Sequence, residues 1–193
     1  MYEFKIQGNL VEKLSDEEFF DFCVQNHELR IERDKDHNIL IMSPTTYFTG
    51  DKNAKLIIEF GIWNKEKQLG KVFDSSAGFT LPNGSIKSPD ISWISKERDA
   101  LLSDTEKNKF ASIAPDFVLE LMSKSDILKK QKEKMEEYIS NDVKLGWLVD
   151  LENETVFIYR ADGTIAKVIG FDNQISGENI LVDFLLDLQI LRD

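Results

Sequence analysis

Two acidic residues occupy positions where the neighbouring sequence is apolar. Asp90 follows Pro89 and directly precedes the strand-like run 91–94, and Glu120 interrupts the apolar run 117–122. A buried carboxylate is unfavourable unless it is paired, protonated or bound to a metal. Because paired strands bring residues at their ends within a few ångströms of each other, Asp90 and Glu120 predict an all-oxygen site for a hard cation such as Mg²⁺.

Lysine residues are concentrated after the second acid, between Lys124 and Lys134. An ammonium group beside two metal-binding carboxylates would complete a phosphodiester-cleaving site, because it can orient the attacking water or stabilise the charge that develops on the phosphate. The same segment is the only locally basic stretch of the chain. It therefore predicts the edge along which a phosphate backbone lies.

Structural interpretations of these acids stay open beside the chemical one. Asp90 could cap a local turn, as Pro-Asp pairs often do, and a second Pro-Asp pair ends at Asp116. Glu120 could pair with an inward-reaching lysine. Glu59, on a predicted helix, and Glu32, on a predicted hairpin, are further candidate ligands of a metal or a water, although a partly exposed flank position is favoured for Glu59.

The elements that must position these residues alternate between helical and extended patterns. A short helix begins at Ser15 with Glu18 in the capping-box position. A second helix covers about 51–68 and stops at Gly70, and a third, capped by Ser125 or Asp126, runs through Ser140. Strands are predicted over 28–33, 38–42, 71–74, 79–81, 91–94, 117–122, 145–149, 156–159 and 164–169, followed by an apolar tail at 180–191 that packs on the body. This order indicates a mixed α/β domain.

The third helix has a buried stripe that brings one lysine close to the interior. The stripe consists of Leu128, Met135, Tyr138 and Ile139. Lys134 precedes Tyr138 by four residues, so the two are neighbours at the edge of the stripe, where a long side chain can reach inward. Tyr138 and Trp147 are expected to be core residues rather than platforms for stacking bases.

The amino-acid composition excludes some classes of protein. The chain has 193 residues with 24 Lys and Arg against 35 Asp and Glu, a formal net charge of −11, which argues against a passive coat on nucleic acid. The single cysteine, Cys23, excludes an internal disulfide and reads as a buried small hydrophobe, and no role is assigned to His27 or His37. No leader and no membrane-spanning run is recognisable, so we expect a soluble cytoplasmic protein.

Five motifs in order resemble the Uma-two family of putative restriction endonucleases, which belongs to the PD-(D/E)XK nuclease superfamily. They are Gly78-Phe79-Thr80-Leu81-Pro82-Asn83-Gly84 leading into Ser88-Pro89-Asp90-Ile91; Pro115-Asp116-Phe117-Val118-Leu119-Glu120-Leu121-Met122-Ser123; Lys134 with Tyr138; Gly146-Trp147-Leu148-Val149-Asp150; and Ile175-Ser176-Gly177-Glu178. The resemblance covers roughly residues 28–190.

The resemblance implies a restriction-endonuclease-like core, with a central mixed β-sheet flanked by helices. It implies that Asp90 and Glu120 bind Mg²⁺ or Mn²⁺ and that DNA is cleaved. The superfamily usually places its lysine two residues after the second acid, where this chain has Met122. Lys134 is the position that matches a lysine displaced onto the next helix. Lys124 lies roughly 13 Å beyond Glu120 if the strand stays extended at about 3.3 Å per residue, too far to serve.

The sequence therefore predicts one nuclease domain over 1–193, with a helical entry segment at 1–27 and a nuclease core at 28–193. The predicted activity is that of a metal-dependent endodeoxyribonuclease with Asp90, Glu120 and Lys134 as catalytic residues. A homodimer is compatible with this prediction. The main alternative is a catalytically silent nuclease fold that acts as a binding or assembly module, which Met122 and the acidic charge favour. A phosphohydrolase of a small substrate is a third possibility.

Overall fold

The computed structural model describes residues 3–8, 11 and 13–192. The helices are α1 (Asp16–Gln25), α2 (Tyr47–Lys67), α3 (Lys96–Asp99), α4 (Asp104–Lys107) and α5 (Leu128–Ser140), and a 3₁₀ helix covers Leu188–Leu191. The strands are β1 (Glu3–Ile6), β2 (Arg30–Arg33), β3 (Ile39–Met42), β4 (Gly70–Asp74), β5 (Phe79–Thr80), β6 (Ile86–Lys87), β7 (Ile91–Ser95), β8 (Phe117–Met122), β9 (Leu145–Asp150), β10 (Thr155–Arg160), β11 (Ile165–Ile169), β12 (Gln174–Ser176) and β13 (Leu185–Asp187).

A mixed central sheet organises the chain. Its strand order is β11-β10-β9-β8-β7-β4, and β8 and β9 are parallel while the other neighbours are antiparallel. The helix α5 makes the crossover between the two parallel strands, as such a pair requires. A second, antiparallel sheet has the order β1-β3-β2-β6-β5, and β12 pairs with β13. The prediction of a mixed α/β fold with a central mixed sheet and flanking helices is confirmed.

Helices cover both faces of the central sheet. All six residues of β8 are buried, which the near-continuous apolar run predicted. Phe117 and Leu119 belong to the core that holds α2 and the C-terminal segment, whereas Val118 and Met122 belong to the core under α5. Because side chains alternate along a strand, Glu120 lies on the α5 face of the sheet.

Several predicted boundaries differ from the structure. The capping box of Ser15 and Glu18 is present, but α2 begins at Tyr47, with Thr46 as its N-cap. The helix ends at Lys67, with Gln68 as its C-cap at a left-handed φ of 54°, and not at Gly70, which lies in β4. Gln68 thus supplies the helix-ending conformation that was assigned to a glycine.

The predicted cap of α5 is wrong. Its N-cap residue is Ile127, and no side chain caps the helix. Asp126 Oδ2 instead accepts a hydrogen bond from the Ser123 backbone N–H at 2.7 Å, so it stabilises the turn before the helix. The strands β9, β10 and β11 pair antiparallel with one another. Burial alternates along β11, whereas β9 is buried throughout.

The entry segment at 1–27 contains a strand as well as the expected helix. The strand β1 pairs with β3, whereas residues 1, 2, 9, 10 and 12 of this segment lie outside the described residues. Cys23 is partly buried, and burial raises the pKa of its thiol to about 11.

Within the described part of the chain, no helix has the length and apolar character that a bilayer crossing requires. The C-terminal segment packs as predicted, with Leu181, Phe184 and Leu188 in the core.

Phe60 of α2 gives a test of the packing between helix and sheet. It is fully buried and stacks on Phe117, with 5.2 Å between the ring centroids. Phe60→Ala should lower the free energy of unfolding by about 3–5 kcal/mol, because it removes buried surface and leaves a cavity. Urea unfolding measures this loss. Glu66→Ala, at an exposed site of the same helix, should stay within about 0.5 kcal/mol of wild type, and equal losses would contradict the packing.

Candidate active site

Asp90 and Glu120 come together across neighbouring antiparallel strands. The pair of β7 and β8 places Ile91 opposite Leu119, and one further step along this register places Asp90 opposite Glu120. The backbone N–H of Leu121 donates a hydrogen bond to Asp90 Oδ2 at 2.9 Å. Glu120 is 6% exposed. The structure therefore brings together the two acids on which the sequence prediction of a metal site rested.

Lys134 reaches this pair from α5. Its Nζ lies 2.8 Å from Glu120 Oε1 and 3.5 Å from Glu32 Oε1. The Tyr138 hydroxyl donates a second hydrogen bond to Glu120 Oε1 at 2.8 Å. The sequence predicted Tyr138 as a core residue, and its ring is fully buried, but its polar end belongs to the site. Lys124 is exposed and does not line the cleft around the acids.

Glu32 of β2 is a third acid at the site. It is 2% exposed, and its Oε1 accepts a hydrogen bond from the Ser88 backbone N–H at 3.1 Å. Lys87 Nζ lies 3.8 Å from Glu32 Oε2 and 3.5 Å from Glu137 Oε2. Glu32 therefore lies between two lysines, Lys87 and Lys134. Of the two open candidates, the structure brings Glu32 to the site, whereas Glu59 does not line the cleft.

The electrostatics of the site follow from burial opposed by charge pairing. Burial raises the pKa of Glu120 to about 7, with further increases from Asp90 and Glu32, although Lys134 opposes the shift. Burial also raises the pKa of Asp90. For Lys134, burial favours the neutral amine, but Glu120 and Glu32 outweigh it and raise its pKa. Burial likewise opposes ionisation of Glu32, but Lys134 and Lys87 lower its pKa overall. The lysine is therefore held as an ammonium ion at neutral pH.

The acids lie in an open cleft of about 1170 Å³ between α5 and the sheet that contains β2 and β3. Eight acidic and five basic side chains line it. The predicted lysine edge is divided. Lys130 lines the cleft, but Lys129 pairs with Glu133 at 3.8 Å and Lys132 lies 4.3 Å from the centre of the Phe157 ring. The other cations of the cleft, which sequence reasoning missed, are Arg30, Lys35 and Lys87.

The oxygen donors at the centre of the cleft suit a hard divalent cation. No group of three or more acidic, histidine or cysteine side chains is arranged as a metal cage among the described residues. Mg²⁺ commonly uses only one or two carboxylates and completes its shell with water and substrate phosphate. In the described part of the chain, Asp90 Oδ1 and Glu120 Oε2 accept no hydrogen bond, so each carboxylate has an oxygen available. The two residues therefore fit Mg²⁺ or Mn²⁺.

The second Pro-Asp pair of the chain has a structural role. Asp116 is 1% exposed, and it accepts hydrogen bonds from the Ser95 backbone N–H at 2.8 Å and from Arg98 Nη1 at 3.2 Å. Burial opposes its ionisation, but Lys144, Ser95 and Arg98 outweigh burial and lower its pKa. The dipeptide alone thus does not distinguish a site acid from a structural one, whereas the position does, because Asp90 lines the cleft and Asp116 does not.

Comparisons with known proteins bear on the family and the fold of the chain. The model of the Uma2 family, described as putative restriction endonuclease, matches residues 16–189. A solved structure of a putative nuclease belonging to DUF820 from Anabaena variabilis superposes with a TM-score of 0.70 at 18% sequence identity, covering 83% of this chain and 88% of that chain. At this identity the likeness concerns the fold. No curated protein matches the sequence.

The structural role of Asp116 can be tested by measuring how its contribution to stability depends on pH. Asp116→Asn should lower the free energy of unfolding at pH 7 by about 1–3 kcal/mol, because charge-assisted hydrogen bonds are lost. The lowered pKa means that the carboxylate stabilises the fold above the unfolded-state value of 3.8 and loses this effect as the pH falls through the folded-state value. Chemical unfolding at several pH values should therefore show the difference narrowing below pH 3.8. The exposed Asp36→Asn is the control, and a difference for Asp116→Asn that does not depend on pH would contradict the assignment.

Proposed function

This chain belongs to the Uma2 family of putative restriction endonucleases, and from this premise we propose that it is a metal-dependent endonuclease that hydrolyses phosphodiester bonds in DNA. One observation carries the proposal. Asp90 and Glu120 face each other in an open cleft, and the Lys134 ammonium lies 2.8 Å from Glu120 Oε1. Two carboxylates and one ammonium at one point are the groups that phosphodiester hydrolysis needs.

Each residue has a separate role in this proposal. Asp90 and Glu120 would hold Mg²⁺ or Mn²⁺ through their available oxygens. The ion supplies an acidified water and positive charge at the scissile phosphate when it is bound. Lys134 donates one N–H to Glu120 Oε1 and one to Glu32 Oε1, and its third N–H is directed toward the attacking water or a phosphate oxygen. Tyr138, through its bond to the same oxygen, holds the Glu120 carboxylate in one orientation.

The charge of the cleft supports metal dependence. Acidic side chains outnumber basic ones along its walls by eight to five, and such a surface repels a polyanion. A divalent ion between Asp90 and Glu120 would reduce that repulsion at the position where the phosphate must approach. The same argument makes the Lys134 ammonium important before any metal binds, because it offsets the charge of Glu120 and Glu32.

A silent nuclease fold remains the second candidate function, and one observation favours it. Glu120 Oε1 is already satisfied by Lys134 and Tyr138, an arrangement that also serves as a purely structural ion pair. Hydrolysis of a small phosphate ester is the third candidate, and the acidic surplus of the cleft suits it better than duplex DNA.

Cleavage of plasmid DNA with Mg²⁺ or Mn²⁺ separates these candidates. Lys134→Met should lower the cleavage rate on the order of 10²-fold or more, because an interaction with the transition state is lost. Asp90→Asn should also lose activity, whereas Lys124→Met should retain it, because Lys124 lies outside the cleft. The melting temperature of each variant is measured in parallel, since Lys134→Met removes the cation between Glu120 and Glu32.

The outcomes are distinct. If Lys124→Met loses activity and Lys134→Met keeps it, the lysine assignment is wrong. If wild type never cuts DNA with either metal but hydrolyses a small phosphodiester such as bis-p-nitrophenyl phosphate, the substrate is small. If neither substrate is cleaved, the silent-module function replaces the nuclease.

Metal binding is tested independently of cleavage by thermal unfolding. Millimolar Mn²⁺ should raise the melting temperature of wild type, because a ligand that binds the folded state stabilises it. Asp90→Asn should gain much less, and its melting temperature without metal should not fall, since the change removes a carboxylate that repels Glu120. Glu59→Gln, outside the cleft, is the control. An equal gain in Asp90→Asn would place the ion elsewhere.

A further inference from the structure

Arg30 is a cation of the cleft that has no partner within the described chain. Its side chain lines the cleft and is partly buried, but among the described residues it forms no hydrogen bond and no ion pair. Lys134 and Lys87 of the same cleft differ from it, because both pair with Glu32. The five N–H donors of the Arg30 guanidinium are therefore available to an anionic ligand.

The geometry of β2 places Arg30 beside the proposed active site. Arg30 and Glu32 are two residues apart on this strand, so their side chains leave the same face, with the Cα atoms about 6.6 Å apart. Glu32 Oε1 in turn lies 3.5 Å from Lys134 Nζ. Burial raises the pKa of Asp90, and the positive charges of Lys134 and Arg30 oppose that rise. The site therefore has one cation from α5 and a second from β2.

Some of the acids that give the cleft its acidic surplus are paired with cations outside it. Asp34 pairs with Lys5 at 2.7 Å, and Glu133 pairs with Lys129 at 3.8 Å. Neither of these lysines lines the cleft. The negative charge around Arg30 is thus partly compensated, and its own positive charge is left to attract a phosphate group.

We propose that Arg30 binds the phosphate group next to the scissile one, and that this contact makes a DNA strand, rather than a small phosphate ester, the substrate of the cleft. The proposal rests on the nuclease function proposed above. A guanidinium presents two parallel N–H groups that match two oxygens of a phosphate. Lys134 serves the scissile phosphate, and Arg30 serves its neighbour. A small ester has no neighbouring phosphate, so it gains nothing from Arg30.

Cleavage of two substrates tests this contact. With an oligonucleotide, Arg30→Gln should raise KM at least about tenfold and change kcat little, because a charge-assisted hydrogen bond away from the reacting atoms is lost. With bis-p-nitrophenyl phosphate, which has a single phosphate, kcat/KM should stay near the wild-type value. Arg30→Lys keeps the charge but loses the paired N–H groups, so its KM for DNA should fall between those of wild type and Arg30→Gln.

Binding measured without cleavage separates this proposal from the nuclease function. Fluorescence anisotropy of a labelled DNA duplex in Ca²⁺, with electrophoresis to check that the duplex stays intact, should show at least about tenfold weaker affinity for Arg30→Gln. The slope of log affinity against log salt should fall by about 0.9, the value for one phosphate contact. Lys96→Gln is the control, because it removes one exposed charge on α3 outside the cleft, and it should bind like wild type.

The outcomes that would overturn the proposal are distinct from failure of the nuclease function. If wild type cleaves neither substrate but Arg30→Gln still weakens DNA binding, only the nuclease function fails. Unchanged KM and unchanged affinity in Arg30→Gln would overturn the contact. An equal loss of kcat/KM on both substrates would mean that Arg30 acts on Asp90 or on the scissile phosphate. Equal weakening by Lys96→Gln would reduce the effect to net charge. Circular dichroism checks that each variant is folded.

Discussion

The Glu120 carboxylate is buried on a strand whose other residues are apolar, and its ionisation has to be compensated by groups from elsewhere in the fold. Lys134 supplies a cation and Tyr138 a hydrogen bond, both to Oε1. Loss of one partner from a buried ion pair destabilises a protein by more than the intact pair stabilises it. The stability of the fold therefore depends on α5 holding Lys134 beside Glu120 of β8. The helix α5, which connects the two parallel strands, therefore both covers one face of the central sheet and supplies the Lys134 ammonium.

The need to compensate buried charge also links the sheet that contains β2 and β6 to the central sheet. Glu32, on β2, shares Lys134 with Glu120, and Lys87, on β6, neutralises Glu32 from its other side. Three carboxylates and two ammonium groups thus form one buried cluster across three structural layers. The pKa values of Asp90 and Glu120 are raised first by burial, which Lys134 offsets only in part. A divalent cation at the two carboxylates would favour their ionised forms further.

A residue of the site can be predicted from the sequence only where its own sequence neighbours carry the signal. A lone acid in an apolar run identified Glu120, and helical spacing placed Lys134 beside Tyr138. Glu32 gave no comparable signal, because its burial arises from the packing of β2 against a loop 56 residues away in sequence. The lysine-rich segment was predicted as one basic edge, but helical geometry divides it between the cleft, a pair with Glu133 and the Phe157 ring. Strand β1, short and adjacent to β3 only through tertiary pairing, was missed for the same reason.

The proposed nuclease function requires a cation between Asp90 and Glu120. A crystal of the protein soaked in Mn²⁺ and recorded at an energy where manganese scatters anomalously tests this directly. We expect one anomalous peak between the two carboxylates, with an oxygen of each about 2.1 Å from the ion, and with Lys134 still bonded to Glu120. Absence of a peak at saturating Mn²⁺, or a peak bound only to other residues, would contradict a shared metal site and leave the Glu120–Lys134 pair as a structural ion pair.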